Sequence, residues 1–250
     1  MEDIDRTYTP GSVRTEDWYK GVIRPVVGLD PAGAQTLQGE RQGNEIGVDF
    51  SQNLWGDSNP DHVGLQGSFG DNGTVDLVGA DGTDYGASWF GPYNVWDIPS
   101  AGADYTLKLS QQRAWHTDVW QRSGTVETDF TFRSRLDGEA YSQSLPLLYP
   151  SYGIALDPSN NVTPGPQQIT LAATGQQGYT PGTLTSASLS YSYDDGVDWL
   201  TAKVKQINGV WTAYVDHTGQ SGKLVTLKVT LKSADGASVT QTVTDAYGVE

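Results

Sequence analysis

From residue 46 onward the chain is written in short stretches that alternate apolar and polar residues, and Gly, Asp, Asn or Pro closes each stretch. The first half reads this way in residues 46–55, 62–69, 74–80, 103–115 and 125–135. The second half continues at 167–174, 186–196, 199–209, 210–219, 223–236 and 237–249. Period-2 alternation bounded by turn formers predicts β-strands with one buried face. Tyr105, Leu107 and Leu109 fall on one face of their strand, and Phe130 and Phe132 share a face of theirs. Asn208-Gly209 and Asp235-Gly236 mark tight hairpins. No stretch carries a helical period, so the expected class is all-β.

Two sandwich domains are expected at this length. Residues 1–15 are polar and aperiodic and read as a linker or arm left by cutting a longer chain. Residues 16–158 form a Trp- and acid-rich, jelly-roll-like sandwich in this reading. Prolines at 146, 150, 158, 164 and 166 mark a joint. Residues 159–250, with six or seven strands in about ninety residues, suit an immunoglobulin or fibronectin type III-like sandwich.

Composition supports a β-rich, extracellular reading. The 250 residues include 30 Gly, 8 Trp and 13 Tyr, 1 Met and no Cys. Without cysteine there are no disulfides, thiolate zinc sites or thiol nucleophiles. The net charge of −15 comes mostly from residues 1–150, with 22 Asp/Glu against 10 Lys/Arg. Such a surface repels nucleic acid and anionic membranes, and no apolar run is long enough for a membrane span. Residues 1–30 also lack a signal-peptide core, so any secretion signal is expected to have been removed or to lie outside this sequence.

Few residues offer chemistry. His62, His116 and His217 lie in separate segments, which excludes a HExxH pair, and no G-x-S-x-G elbow occurs. Asp57, Asn59 and Asp61 open a segment like a calcium loop, with oxygen side chains at positions 1, 3 and 5. His62 then stands where such a loop needs Gly, and Ser68 where it needs Glu. This leaves an Asx turn, with a looser calcium site as the sharper reading; no cofactor is required. Trp89, Phe90, Tyr93 and Trp96 cluster beside Gly91-Pro92, with Trp115 and Trp120 beyond. Aromatic faces beside carboxylates and amides stack on sugar rings, so Trp89, Tyr93 and Trp96 are candidate ligand contacts; as core residues they would give the same letters.

Residues 192–199, SYDDGVDW, fit the Asp-box hairpin S-x-D-x-G-x-x-W. Ser192, Asp194, Gly196 and Trp199 are expected to build a structural turn, with the Trp pinning the returning strand to a core. A propeller would repeat the motif once per blade, and here it occurs once.

Five signatures, this hairpin among them, occur in order: Phe130-Thr131-Phe132-Arg133-Ser134, Leu145-Pro146-Leu147-Leu148, the hairpin at 192–199, Ala234-Asp235-Gly236 and QTVTDAYGV at 241–249. Residues 128–250 thereby resemble the C-terminal region of secreted actinobacterial subtilisin-like serine peptidases. Trp18, Gly21, Arg24 and Pro25 are similar to that family's W-x-x-G-x-x-R-P strand. The family's catalytic Asp, His-Gly and Gly-Thr-Ser-Met blocks do not occur in this sequence. The resemblance therefore implies a secreted, non-catalytic accessory region that stabilises an upstream protease domain or holds it to substrate or surface. The alternative is a free-standing carbohydrate-binding or adhesion module whose partner is an extracellular polymer, a polysaccharide or a fibrous protein.

Overall fold

The computed structural model describes residues 2–3, 9–30, 32–51, 53–64, 71–89, 93–113 and 121–250. Among them are strands and turns and no helix, and hence no helix long and apolar enough to cross a membrane. The fold is all-β and antiparallel, with one short parallel pair.

Strands are numbered β1 to β20 in chain order. The largest sheet runs β16 (Leu200–Thr201), β15 (Leu184–Ser192), β19 (Leu224–Ser233), β20 (Ser238–Val249), β10 (Thr125–Ser134), β9 (Ala103–Arg113), β6 (Asp71–Gly79) and β7 (Asp84–Trp89). The short β13 (Asn161–Val162) lies parallel to the end of β20. A four-stranded sheet takes the order β11 (Ser142–Ser144), β2 (Gly39–Gln42), β3 (Glu45–Val48) and β8 (Asn94–Asp97). Another runs β12 (Tyr149–Gly153), β14 (Pro166–Thr174), β18 (Val210–Asp216) and β17 (Lys203–Ile207). A small sheet joins β1 (Glu2–Asp3), β5 (His62–Gly64) and β4 (Trp55–Gly56).

Alternation decides which face of the large sheet is buried. Leu77, Leu107, Phe130, Val239, Leu231 and Ala187 stand opposite one another in a single row across six strands. A second row carries Val75, Leu109, Thr128, Gln241, Val229 and Leu189. Gln241 is affordable in that row because its amide donates to Thr128 Oγ1 and its oxygen accepts from the Tyr152 hydroxyl. One residue along, Lys108, Asp129, Thr240 and Thr230 form the outward row. Phe130 stacks with Phe50 and meets Tyr149, so the buried face of the large sheet packs on what lies opposite it.

The joint expected near 158–166 falls at a turn in which Asp157 Oδ1 accepts from the N–H groups of Ser159 and Asn161. Strands from either side of that turn pair directly: β10 and β20 are in register from Val126↔Val243 to Thr131↔Ser238. The two segments therefore share one sheet. Gln176 ties them again. Its oxygen accepts from Gln38 and Gly39 N–H, and its amino group donates to the carbonyls of Gly39 and Leu145, which uses all four of its hydrogen-bonding positions. Within the 1–15 arm, Glu2 and Asp3 pair with Val63 and His62.

Candidate functional site

The exposed aromatic pair lies where the chain leaves the large sheet. Strand β7 is that sheet's edge, and the next strand, β8, is the edge of the neighbouring four-stranded sheet. Asn94 holds the two ends together through its amide, which donates to Ser88 Oγ at 2.9 Å and to the Trp89 carbonyl at 3.0 Å. Trp89 and Tyr93 flank this crossing and are 70% and 54% exposed. Trp96 faces inward instead, 7% exposed, and donates from Nε1 to the Gly86 carbonyl at 2.8 Å. Of the three aromatic residues named from the sequence, two stand at the surface and one belongs to the core. Phe90, Trp115, Trp120 and His116 lie outside the described residues.

Tyr93 rests on the neighbouring sheet because β3 has a glycine beneath it: a Cβ at Gly47 would collide with the tyrosine hydroxyl. Partial burial, followed by the charges of Glu40, Glu45 and Asp49, holds the phenol above its ordinary pKa, so it remains a neutral donor. Trp89 borders a cavity of about 40 Å³ lined also by Leu54, Trp55, Asp71, Asn72, Gly73 and Gln111. Asp71 accepts from Trp55 Nε1 at 3.2 Å. Burial raises its pKa, against the Trp55 hydrogen bond and the charge of Arg113. Gln111 is fully buried and donates to the Leu54 carbonyl at 2.6 Å, while its Oε1 has no donor. A buried amide oxygen without a donor is costly, and this one is sealed in the interior. At the surface the site offers an open indole face, a carboxyl and a neutral phenol, groups that grip a sugar ring and its hydroxyls.

In the segment from Asp57 to Asp61 the oxygens are occupied by the protein. Asp57 Oδ2 accepts from Tyr19 N–H at 2.8 Å and lies 2.8 Å from His62 Nδ1, while Oδ1 accepts from Asn59 N–H at 2.7 Å. Asn59 Oδ1 accepts from Asp61 N–H, and Asp61 meets Arg14. The bonds from Asn59 N–H to Asp57 and from Asp61 N–H to Asn59 are Asx-turn bonds. Among the described residues no group of three Asp, Glu or His side chains is placed to hold a metal ion. His62 is fully buried, stacked on Trp18 at 3.8 Å between ring centroids, with Nε2 3.0 Å from the Asn59 amide.

The hairpin at 192–199 is built as its letters require. Ser192 Oγ accepts from the N–H groups of Asp194 and Gly196 and donates to Asp194 Oδ1 at 2.6 Å. Asp194 Oδ1 also accepts from Asp198 N–H. The Ser192 bond, then these backbone donors, lowers the Asp194 pKa. Asp195 and Gly196 both take positive φ, 58° and 91°. Trp199 corrects the expectation that it pins a strand to the core. It is 36% exposed, folded over Gly196 and beneath Lys228. Nearby, two arrangements carry no local motif. His217 lies between the Tyr193 and Tyr247 hydroxyls, at 2.7 and 3.0 Å. Asp245 is raised to about 6 by burial and then by Asp195, with Arg122 opposing.

The sequence matches no protein-family model and no curated protein. Among solved structures it is similar to the three N-terminal domains of the bacteriophage RB49 highly immunogenic outer capsid protein (Hoc). The identity is 14% and the TM-score 0.23, over 82% of this chain and 57% of that one. The chain thus spans little more than half the length of that structure, and the score is too low to transfer even a fold.

Proposed function

We propose that this chain is a non-catalytic binding module that holds an extracellular polysaccharide on the face formed by Trp89 and Tyr93. The observation that carries the reading is the exposed Trp89 indole beside a cavity lined by Asp71, Asn72 and Gln111. An uncharged polymer suits a chain of net charge −15, since stacking and hydroxyl hydrogen bonds do not depend on charge. Binding to a polysaccharide would also explain two large aromatics left in water on a sheet edge, where folding stability gains little from them.

The five ordered signatures in 128–250 support a second, compatible reading. The module would be the accessory C-terminal region of a secreted subtilisin-like peptidase, holding an upstream protease domain at its substrate, with residues 159–250 as an immunoglobulin-like unit. In that case the polymer bound would include fibrous protein.

Sedimentation of the purified chain with chitin, cellulose, peptidoglycan and fibrous protein tests both. Retention on a polysaccharide that is lost in Trp89→Ala, with melting unchanged, is the expected result. Retention on fibrous protein alone moves the assignment to the accessory reading. A folded chain retained on none of the four would overturn the polymer-binding function.

A further inference from the structure

A second site, sharing no residue with the Trp89 cavity, surrounds Arg24. This residue lies in the irregular segment that pairs with Gly56, and it is buried, 9% exposed. Two of its nitrogens are pinned by backbone carbonyls: Nε donates to Pro150 O at 2.8 Å and Nη1 to Val22 O at 3.0 Å. The Tyr152 ring stands 5.5 Å from the guanidinium carbon. Among the described residues no carboxylate forms a salt bridge with Arg24, and Nη2 has no acceptor. Nη2 is not one of the sealed, partnerless atoms of the interior. Arg24 lines a cavity of about 270 Å³.

A buried cation without an ion-pair partner is expensive, and a fold keeps one when something neutralises it. Asp57, which also borders the cavity, cannot fill this role. Its oxygens face Tyr19 N–H, Asn59 N–H and His62, and its charge reaches Arg24 only from beyond contact distance. Val26, Val27 and Leu29 supply an apolar wall, and Thr174 stands at the exposed rim. The volume is below the roughly 300 Å³ at which pockets for drug-sized ligands begin.

We infer that this cavity binds a carboxylate bearing a short branched apolar chain, the carboxylate accepting from Arg24 Nη2 and the chain lying on Val26, Val27 and Leu29. A planar guanidinium already held at two nitrogens loses little freedom on binding and donates in the geometry a carboxylate accepts. The same chemistry is presented by a free short-chain acid and by the C-terminus of a peptide ending in a residue such as valine.

Calorimetric titration of the full chain distinguishes these sources and tests the site. The probes are isobutyrate, isobutyramide, N-acetyl-Ala-Val with a free carboxylate, and the same dipeptide amidated. Saturable binding of at least one carboxylate, about tenfold or more tighter than its amide, is the expected result. Binding of isobutyrate alone assigns a free acid, and binding of the free peptide alone assigns a chain terminus. Arg24→Gln removes the donor and also breaks two structural bonds, so Thr174→Trp serves as the variant that leaves the interior intact while closing the mouth. It should weaken the carboxylate about tenfold without lowering the melting temperature. The inference fails if neither carboxylate saturates, if each amide binds as well as its acid, or if Thr174→Trp leaves binding unchanged.

Discussion

Two histidines, both fully buried, sit in the two halves of the molecule and are held in opposite ways. His62 is in the irregular first half, against the Asp57 carboxylate and the Asn59 amide and under Trp18. His217 is in the regular second half, between two tyrosine hydroxyls on strands of the large sheet or beside them. Where long strands supply their own backbone ladder, a buried polar side chain needs only two neutral partners. Where the backbone wanders, as in residues 17–24 and 53–62, side chains must supply the order. Asp57 collects Tyr19 and Asn59 N–H, Asn160 bridges Gly21 N–H and the Tyr19 carbonyl, and Ser123 receives Ile23 N–H. Irregular backbone is therefore stabilised by polar bonds that are costly to lose one at a time, and regular backbone by apolar rows that are costly to hollow out.

The largest effect should come from hollowing the row both halves share. Phe130→Ala removes a ring that packs on Phe50 and Tyr149 and stands between Leu107 and Val239, and it should cost about 3–5 kcal/mol by urea unfolding. Loss confined to one half, with the other still melting cooperatively, would break the picture of a common sheet. Asp57→Ala comes next, at about 3 kcal/mol, because it strands two backbone donors and His62 in the interior. Faster proteolysis within residues 14–24 should accompany it, and an unchanged cleavage pattern would argue that Asp57 does not order that segment.

His217→Phe should cost about 1–3 kcal/mol by leaving the buried Tyr247 hydroxyl without its partner, while the Tyr193 hydroxyl keeps the Asp216 carbonyl. It also has a pH signature. Burial, opposed by Asp216, holds the imidazole below its ordinary 6.5, so as pH falls below that value the unfolded chain binds the proton more readily than the folded one. Stability drops with acidification in that window, and the Phe variant should lose this part of the slope. Asp245 has the opposite sign. Folded, it keeps its proton up to about 6, against 3.8 for an ordinary Asp, so stability falls as pH rises from about 3.8 to 6 and the full penalty remains at pH 7. Asp245→Asn should therefore raise stability at pH 7 by about 1 kcal/mol, discounted for the half-exposed setting, and do nothing below about pH 4. Asn also tolerates the positive φ of 56° at this position. The smallest stability change belongs to Trp89→Ala, within about 0.5 kcal/mol, since an exposed indole holds little of the fold together.

Much of the strand pattern was legible, and the reason is local. Residues 103–113 and 125–134 each show their buried face in their letters, and SYDDGVDW builds its turn from its own four signature residues. The candidate site was legible only in part. Trp89, Tyr93 and Trp96 are equivalent as text, and burial separates them because β8 turns Trp96 toward Gly86 while Gly47 leaves a shelf for Tyr93. Gln111 gave no signal, since one more Gln at the end of an alternating run looks like surface. Arg24 stood out only as a letter in a resemblance, and its burial follows from Pro150 and Val22 carbonyls that the text does not place beside it.

By itself the sequence determined that this chain is all-β, where most of its turns fall and which face of each long strand is apolar, because a period of two residues is a property of the strand alone. Tertiary structure decided that β10 pairs with β20 across the proline-rich joint, that Gln176 ties residues on both sides of it, and that Arg24 lines a cavity without a counter-charge. Such outcomes depend on which distant segments meet, and a local pattern of apolar and polar letters is the same for many pairings.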